Sequence, residues 1–329
     1  GALGGEAHAV AQGVMNVPGA AKSAFSVAQN GRLVYLHGSE QKGNSLTWHT
    51  VGSDTVVPVA DLALYDLVAL SPDERTAAVL VTDAVGTYEV WTVDLARNLR
   101  TRFTTTQVDE YDVVWGRDSR TLYFISDDSD STSIYTKVVG SPAAPKLVVR
   151  GEPGMRLWDV TPDGRSIIAS RGNQAQEFVR IDLADGGIHP FGTTSPVLGM
   201  ARMSPDGRWL AYSSGISGTL QVYVAPYPAM DWVVQVSTEL GAWNAWIDGG
   251  RGLVYQGQDG LFTVTMTEQD GRMLVGPPVA VMPAEAPQPE SRHWDVTADG
   301  RRYLVLDAVS PDRKNYCDLI LDWPALVGR

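Results

Sequence analysis

Residues 203–214 read MSPDGRWLAYSS, and this stretch decides how the rest of the chain is interpreted. It joins two apolar segments through a polar turn. Pro205 presets φ, Asp206 can accept hydrogen bonds from nearby amides, and Gly207 tolerates a positive φ. The second segment is short, aromatic and ends in serines, as β-strands do. The motif therefore predicts a tight connection between two antiparallel strands.

The same pattern recurs along the whole chain. Its other copies are SVAQNGRLVYLHG (26–38), LSPDERTAAVLV (70–81), WGRDSRTLYFIS (115–126), VTPDGRSIIAS (160–170), WIDGGRGLVYQG (246–257) and VTADGRRYLVLD (296–307). The turn positions are Asn30, Asp73, Asp118, Asp163, Asp206, Gly249 and Asp299. Two more strand-like runs follow each motif, as at 220–226 and 232–238 in the fifth copy. Four short strands in a repeat of about 40–45 residues are typical of a β-propeller blade.

We predict an all-β protein that is one domain over residues 1–329, a seven-bladed propeller of four-stranded antiparallel blades, with six blades as the alternative. The blades are expected at 20–60, 61–105, 106–150, 151–194, 195–239, 240–285 and 286–329. The seventh copy has three evident strands, the last of them CDLILDW at 317–323. We expect the N-terminal strand EAHAVAQGV at 6–14 to supply the fourth and close the ring.

Composition limits the partners and the compartment. Apolar residues make up 44% of the 329 positions, which is enough for a large core. The net charge of −12 repels phosphate backbones, so we expect no nucleic-acid partner. No run approaches the ~20 apolar residues that span a bilayer, so we expect no direct membrane insertion. Because the chain begins at Gly1 without a Met, we expect that a preceding segment was removed. We expect a monomer.

Motifs for a reactive group are missing from the sequence. There is no Gly-x-Ser-x-Gly elbow, and the single cysteine, Cys317, lies inside a predicted strand. One cysteine excludes an intrachain disulfide and a multi-cysteine zinc site. The recurring turn aspartates belong to the turns and do not form paired carboxylates, since a residue that returns once per repeat serves each repeat. We predict no catalytic residue.

One face of a propeller carries the loops that lead into the innermost strands and those between the second and third strands. The candidate ligand-binding residues there are Tyr111, Arg156, Trp158, Trp243, Arg292 and His293. Further residues of these loops are Asp109, Glu110, Asp127, Asp128, Asp130, Gln174, Gln176 and Glu177. Aromatic, arginine and acidic side chains together suit a peptide or sugar. The alternative is that Trp158 and Trp243 pack between blades and the charged residues form solvated ion pairs.

Metal sites are not predicted. The acidic run DDSDSTS at 127–133 offers oxygen ligands for Ca²⁺, but it lacks the spacing and distal Glu of a dedicated calcium loop. A solvated hairpin tip is favoured there. No two of the five histidines stand at metal-ligand spacing. We therefore predict no cofactor.

The Ser/Thr-Pro-Asp-Gly-Arg turns at 161–165 and 204–208 resemble the TolB-like β-propeller repeats of bacteria. The opening of the chain, VYVAPYP at 222–228 and the ending CDLILDWPALVGR are similar to propeller regions found C-terminal to some bacterial serine/threonine kinases. The chain has no glycine-rich phosphate loop and no HRD or DFG triplet, so kinase chemistry is not carried over. The resemblance implies a sensor or scaffold region outside the cytoplasm, in the periplasm or at the cell surface.

Three functions follow from this sequence. The first is a non-catalytic binding or scaffold propeller that presents its channel mouth to a peptide, protein or small ligand. The second is a propeller lyase or hydrolase in which His293, with Arg292, Tyr111 or a metal, acts as acid or base. The third is the regulatory half of a peptidase or kinase. We expect the first.

Overall fold

The computed structural model describes residues 16–17, 22–23, 25–28, 30, 32–37, 43–83, 86–105, 108–128, 131–172, 176–195, 198–284, 292–308 and 316–321. These residues form 30 β-strands and one 3₁₀ turn at Asp248–Gly250, with no α-helix among them. The all-β prediction is confirmed. Within the described ranges, no helix is long and apolar enough to cross a membrane.

The strands follow one another in short antiparallel runs. The N-terminal ones are β1 (Asn16–Val17), β2 (Lys22–Ser23), β3 (Phe25–Val27), β4 (Leu33–His37), β5 (Asn44–Thr50) and β6 (Val56–Pro58). The next eight are β7 (Tyr65–Leu70), β8 (Thr76–Thr82), β9 (Tyr88–Asp94), β10 (Leu99–Arg102), β11 (Asp109–Trp115), β12 (Thr121–Asp128), β13 (Ser131–Val138) and β14 (Lys146–Arg150).

The central and C-terminal strands continue the pattern. Eight of them are β15 (Arg156–Val160), β16 (Ser166–Arg171), β17 (Gln176–Asp182), β18 (Ile188–Ser195), β19 (Leu198–Met203), β20 (Trp209–Ser214), β21 (Gln221–Pro226) and β22 (Val234–Gln235). The remaining eight are β23 (Ala242–Ile247), β24 (Gly252–Gln256), β25 (Gly260–Gln269), β26 (Arg272–Val275), β27 (Val279–Pro283), β28 (Trp294–Val296), β29 (Arg302–Ala308) and β30 (Tyr316–Ile320).

Six sheets are arranged as blades around a ring. Blades 1 to 4 are the four-stranded sheets β7–β10, β11–β14, β15–β18 and β19–β22. Blade 5 contains β23–β27, in which both β26 and β27 pair with β25. Blade 6 combines β28 and β29 with β5 and β6. Each innermost strand contacts the next, and β28 contacts β7, so the described blades close on themselves around a central channel.

The expected seven blades are not confirmed, and the ring has the six blades of the alternative. The strands expected at 20–60 belong to two sheets. β5 and β6 complete blade 6, whereas β3 and β4 form a three-stranded sheet with β30, the strand expected in the last blade. The expected closing segment 6–14 lies outside the described residues, and β5 and β6 take the outer positions of blade 6.

The physical reason for this closure is the extent of the pairing. All seven residues of β5 pair with β29, from Thr50 opposite Arg302 to Asn44 opposite Ala308. Leu46 is fully buried in the apolar cluster between blades 6 and 1. Two strands from each end of the chain therefore share one sheet, and this pairing closes the ring.

The predicted turn geometry positions one face of the ring. In blade 3, the Thr161 hydroxyl donates to Asp163 Oδ1 at 2.6 Å, and the amide of Arg165 donates to the same oxygen at 3.1 Å. Gly164 completes the turn with φ of +70°. These turns follow the innermost strands, so they surround one mouth of the channel. We call that end the turn face and the opposite end the loop face.

Candidate functional site

One position of each repeat lines the channel at the turn face. The residue four places before the turn position borders a pocket of about 230 Å³ in every blade. These residues are Ala69, Val114, Asp159, Arg202, Ala245 and Asp295. The pocket rim is made by turn residues, among them Pro72, Pro205 and Ala298. Charged side chains from blades 3, 4 and 6 therefore meet at the centre of the ring.

The channel narrows toward the loop face. The lining there comes from residues six places before the turn position, namely Leu67, Asp112, Leu157, Met200 and Trp243, and the space left is about 20 Å³. Asp112, Met200 and Trp243 have left-handed φ values of 48°, 52° and 39°, at register shifts in their strands. About 20 Å³ holds little more than one water molecule. Among the described residues, the roomier end of the channel is thus the turn face.

Asp159 connects three blades. Its Oδ2 accepts a hydrogen bond from the amide of Met203 in blade 4 at 2.9 Å. Its Oδ1 accepts from the amide of Val160 at 2.8 Å and from Arg117 Nη2 of blade 2 at 3.0 Å. Both carboxylate oxygens are therefore occupied by protein donors.

Asp295 repeats this arrangement between blades 6 and 1. Its Oδ2 accepts from the amide of Leu70 at 2.7 Å and from Arg292 Nη2, and its Oδ1 accepts from the amide of Val296 at 3.0 Å. Burial raises the pKa of the Asp295 carboxyl to about 6, and the positive charge of Arg202 opposes that rise. Both oxygens of this carboxylate therefore also accept hydrogen bonds from the protein.

Arg202 occupies the equivalent position in blade 4. Its Nη1 donates to the carbonyl oxygen of Trp158. In the described part of the chain no carboxylate is hydrogen-bonded to Arg202, whereas Arg117 and Arg292 are each bonded to one of the two aspartates. A guanidinium carries five N–H groups, so Arg202, with one hydrogen bond and no paired carboxylate among the described residues, keeps more donors for a ligand than Arg117 or Arg292 does.

Three of the residues predicted from the sequence lie together near the loop face. The rings of Trp158 and Trp243 are buried and meet edge to face, with 6.1 Å between centroids. Arg156 binds Asp112 through two hydrogen bonds, at 2.5 and 2.8 Å, and lies over the Trp158 ring. The two tryptophans belong to the apolar core that runs through blades 3 to 6. This is the packing role that the sequence left open as the alternative.

The other three predicted residues are separated from one another. Tyr111 donates to Asp127 Oδ2 at 3.1 Å, and burial together with that carboxylate raises the pKa of its hydroxyl to about 12. Arg292 is buried in the channel, where it also lines the narrow part together with Trp158 and Trp243. His293 lines a groove between blades 5 and 6. The structure therefore does not bring the six predicted residues into one pocket.

The predicted acidic loop residues have varied roles. Asp109 accepts a hydrogen bond from the amide of Tyr88 at 3.0 Å, and Glu177 binds Arg171 at 2.8 Å. Asp130 and Gln174 lie outside the described residues. The described residues contain no group of three or more His, Cys, Asp or Glu side chains placed to hold a metal ion. The interpretation of 127–133 as a solvated hairpin tip, with Ca²⁺ binding as the alternative, stays a prediction.

Sequence reasoning missed Asp159, Arg202 and Asp295. The available signal was a charged residue within an apolar innermost strand, as in WDVT at 158–161 and 294–297 and ARM at 201–203. Aligned on the turn position, these residues share one place in the repeat.

The known proteins similar to this chain are found by structure. No protein-family profile matches it, and no curated protein sequence does. A protein described as TolB from Agrobacterium tumefaciens superposes with a TM-score of 0.65 at 16% identity, covering 83% of this chain and all of the other. TolB from Acinetobacter baumannii gives 0.54 at 18% identity, covering 80% of this chain and 65% of the other. The fold is that of the TolB-like propellers.

Another solved structure similar to this chain is that of an enzyme. An oligogalacturonate lyase in complex with manganese superposes with a TM-score of 0.54 at 13% identity, covering 86% of this chain and 87% of the lyase. At these identities the similarity establishes the fold and carries no site residue across. Function must therefore be argued from the side chains of this propeller.

Proposed function

We propose that this protein is a non-catalytic binding propeller whose turn-face pocket receives the carboxylate of a peptide or protein partner. The observation that carries the proposal is that the Arg202 guanidinium faces the pocket and makes a single hydrogen bond in the described structure. Arginine in a confined site binds carboxylates through two parallel N–H···O bonds. An acidic side chain or a chain terminus is small enough for a pocket of about 230 Å³.

The pairing of the charges in the pocket supports an anionic ligand. The lining contains three arginines, Arg117, Arg202 and Arg292, and three carboxylates, Glu74, Asp159 and Asp295, so its formal charges balance. Both oxygens of each aspartate accept hydrogen bonds from the protein, and Glu74 accepts one from the amide of Ala298. Arg202 is the lining cation that is not hydrogen-bonded to any of these carboxylates in the described structure, so a carboxylate ligand can pair with it.

The test compares short peptides that differ in one group. Trp115 and Trp246 line the pocket, so their fluorescence reports occupancy directly. With both peptides amidated at the C-terminus, we expect the one whose last residue is glutamate to bind at least tenfold tighter than the one whose last residue is glutamine. Arg202→Met keeps the aliphatic stem and should abolish that preference. Arg251→Met, at an exposed ion pair with Asp248, is the matched control. Equal affinity of the two peptides for the unmodified protein would refute the proposal.

The second candidate is an enzymatic propeller, as the likeness to the lyase allows. His293 is the residue it requires, and this histidine lies in the groove between blades 5 and 6 and not in the channel pocket. Incubation with oligogalacturonate and Mn²⁺ tests it. Unsaturated products that disappear in His293→Ala would favour the enzyme over the binding module.

We also propose that the propeller works outside the cytoplasm as a monomeric sensor or scaffold. The TolB-like fold and the sequence resemblance to kinase-linked propellers support this location. Protease added to spheroplasts, whose outer membrane has been opened, should remove an epitope tag placed after Arg329. Protection of the tag until the spheroplasts are lysed would place the protein in the cytoplasm and contradict the proposal.

A further inference from the structure

The contact between blades 5 and 6 differs from the others. Apolar clusters fill the spaces between blades 1 and 2, between 2 and 3, and between 6 and 1. Between blades 5 and 6 the inner part is packed around Trp294, but farther out the blades leave a groove of about 990 Å³. That volume is at the upper end of the range for small-molecule sites.

One wall of this groove is apolar. Leu261 on β25 and Val281 and Met282 on β27 contribute from blade 5, and Val305 contributes from blade 6. These side chains offer surface that a hydrocarbon chain or an aromatic ring would cover, at about 25 cal/mol for each Å² removed from water.

The other wall is polar and comes from β5 and β29. Asp307 Oδ2 accepts a hydrogen bond from the Thr47 hydroxyl at 2.6 Å and from His49 Nε2 at 2.7 Å. The threonine hydroxyl also lies 3.2 Å from the same ring nitrogen. Because threonine and aspartate meet one nitrogen of the imidazole, the histidine cannot relay a proton between them, and a nucleophilic triad is excluded. The arrangement instead fixes the carboxylate in place.

Two polar atoms of this wall have capacity left for a ligand. Asp307 Oδ1 receives no hydrogen bond from the described residues, and the side chain is 37% exposed. Tyr303, directly opposite His49 in the strand register, is fully buried, and its hydroxyl has no partner in the described structure. A buried hydroxyl without a hydrogen-bond partner lowers the stability of a protein by about 1–3 kcal/mol. The presence of such a hydroxyl beside the groove points to a ligand group that pairs with it.

The charges that line the groove favour a positively charged ligand. Its described lining contains Asp54 and Asp307 and no lysine or arginine. A carboxylate ligand would meet negative charge without a fixed cation. An ammonium group would meet Asp307, and it has three N–H donors to share between carboxylate and hydroxyl.

We propose that this groove binds a cationic amphiphile, a primary alkylammonium or arylammonium compound, with the ammonium on Asp307 and Tyr303 and the apolar body on Leu261, Val281 and Met282. This site is separate from the channel pocket and does not depend on the function proposed for that pocket.

The test uses three probes of equal chain length, octylammonium, octanol and octanoate, with binding measured by titration calorimetry. We expect octylammonium to bind at least tenfold tighter than octanoate, with octanol between them. Asp307→Asn should remove the preference for the cation. Asp185→Asn, at an exposed turn, is the matched control. Arg202→Met should leave octylammonium binding unchanged, which separates this site from the channel.

Tyr303→Phe distinguishes a ligand group from a packing residue. Removing a hydroxyl that has no partner should leave the melting temperature of the free protein unchanged or raise it, while octylammonium binding weakens about threefold to tenfold. Three results would overturn the proposal: no binding of any probe, tighter binding of octanoate, or cation binding that survives both Asp307→Asn and Tyr303→Phe.

Discussion

Asp295 Oδ2 accepts a hydrogen bond from the main-chain amide of Leu70 at 2.7 Å, across the junction of blades 6 and 1. The two residues are 225 positions apart in sequence. Asp159 makes the equivalent bond to the amide of Met203 between blades 3 and 4. The channel aspartates thus connect neighbouring blades, and Arg202 is the channel arginine that no carboxylate of the described residues pairs with.

Asp295→Ala should lower the free energy of unfolding by about 3–5 kcal/mol, because it leaves the buried Arg292 without its carboxylate. Asp295→Asn should cost less, since its amide oxygen still accepts a bond. Asp248→Ala breaks an exposed ion pair with Arg251 and should cost no more than about 1 kcal/mol. Urea unfolding measures all three. Equal losses for Asp295→Ala and Asp248→Ala would mean that the ring junction does not depend on this carboxylate.

Leu46→Ala should lower the free energy of unfolding by about 2–5 kcal/mol, since this side chain is fully buried where blade 6 meets blade 1. Val34→Ala, in the three-stranded sheet, removes a side chain that is 39% exposed and should cost less than about 1 kcal/mol. Thermal unfolding of both variants compares the two sheets. A larger loss for Val34→Ala would show that the three-stranded sheet carries ring closure.

Trp243→Ala should destabilise the protein by about 3–5 kcal/mol, as expected for a buried aromatic side chain. Gly199→Ala probes the same packing from the other side, because a Cβ atom there would lie 2.5 Å from Trp158 Cζ2 and displace the ring. That overpacking should cost about 1–3 kcal/mol. Denaturant titrations give both values. If neither variant is destabilised, the tryptophans are surface binding residues instead.

Thr161→Val tests the hydrogen bonds of a turn. The Thr161 hydroxyl, followed by the amide of Arg165, holds the pKa of Asp163 below its usual value. A carboxyl with a lower pKa in the folded state stabilises the fold above its unfolded pKa, and this contribution disappears as the pH falls through the folded pKa. The variant should raise the pKa of Asp163 and lower stability at pH 7 by about 1 kcal/mol.

NMR titration of the Asp163 carboxyl, together with urea unfolding at pH 7 and pH 2, measures both effects. The stability difference between Thr161→Val and the unmodified protein should be smaller at pH 2 than at pH 7, because protonation of the carboxyl removes its contribution to stability. An unchanged pKa in the variant would contradict the role given to the hydroxyl.

The repeat could be predicted because its cause is local. Pro162, Asp163 and Gly164 specify a turn by their own conformational preferences and by hydrogen bonds within five residues. The turn can therefore be predicted without knowledge of any distant contact. The alternation of strands and turns then implies blades. The blade count was harder to predict, because β5 pairs with β29, which lies about 250 residues away in the chain. The sequence of neither strand indicates which strand it pairs with.

The residues of the channel and of the groove were hard to predict for the same reason, because they come together only when the ring closes. Asp159, Arg202 and Asp295 each look like an isolated charge within an apolar strand, and Tyr303 looks like one aromatic among many. The periodic turns and apolar strands by themselves determined an all-β chain of repeated blades, since those are short-range preferences. Tertiary structure alone decided which strands close the ring, which charges share the channel and that the buried Tyr303 hydroxyl has no partner among the described residues, because those depend on contacts between residues that the chain separates by one blade or more.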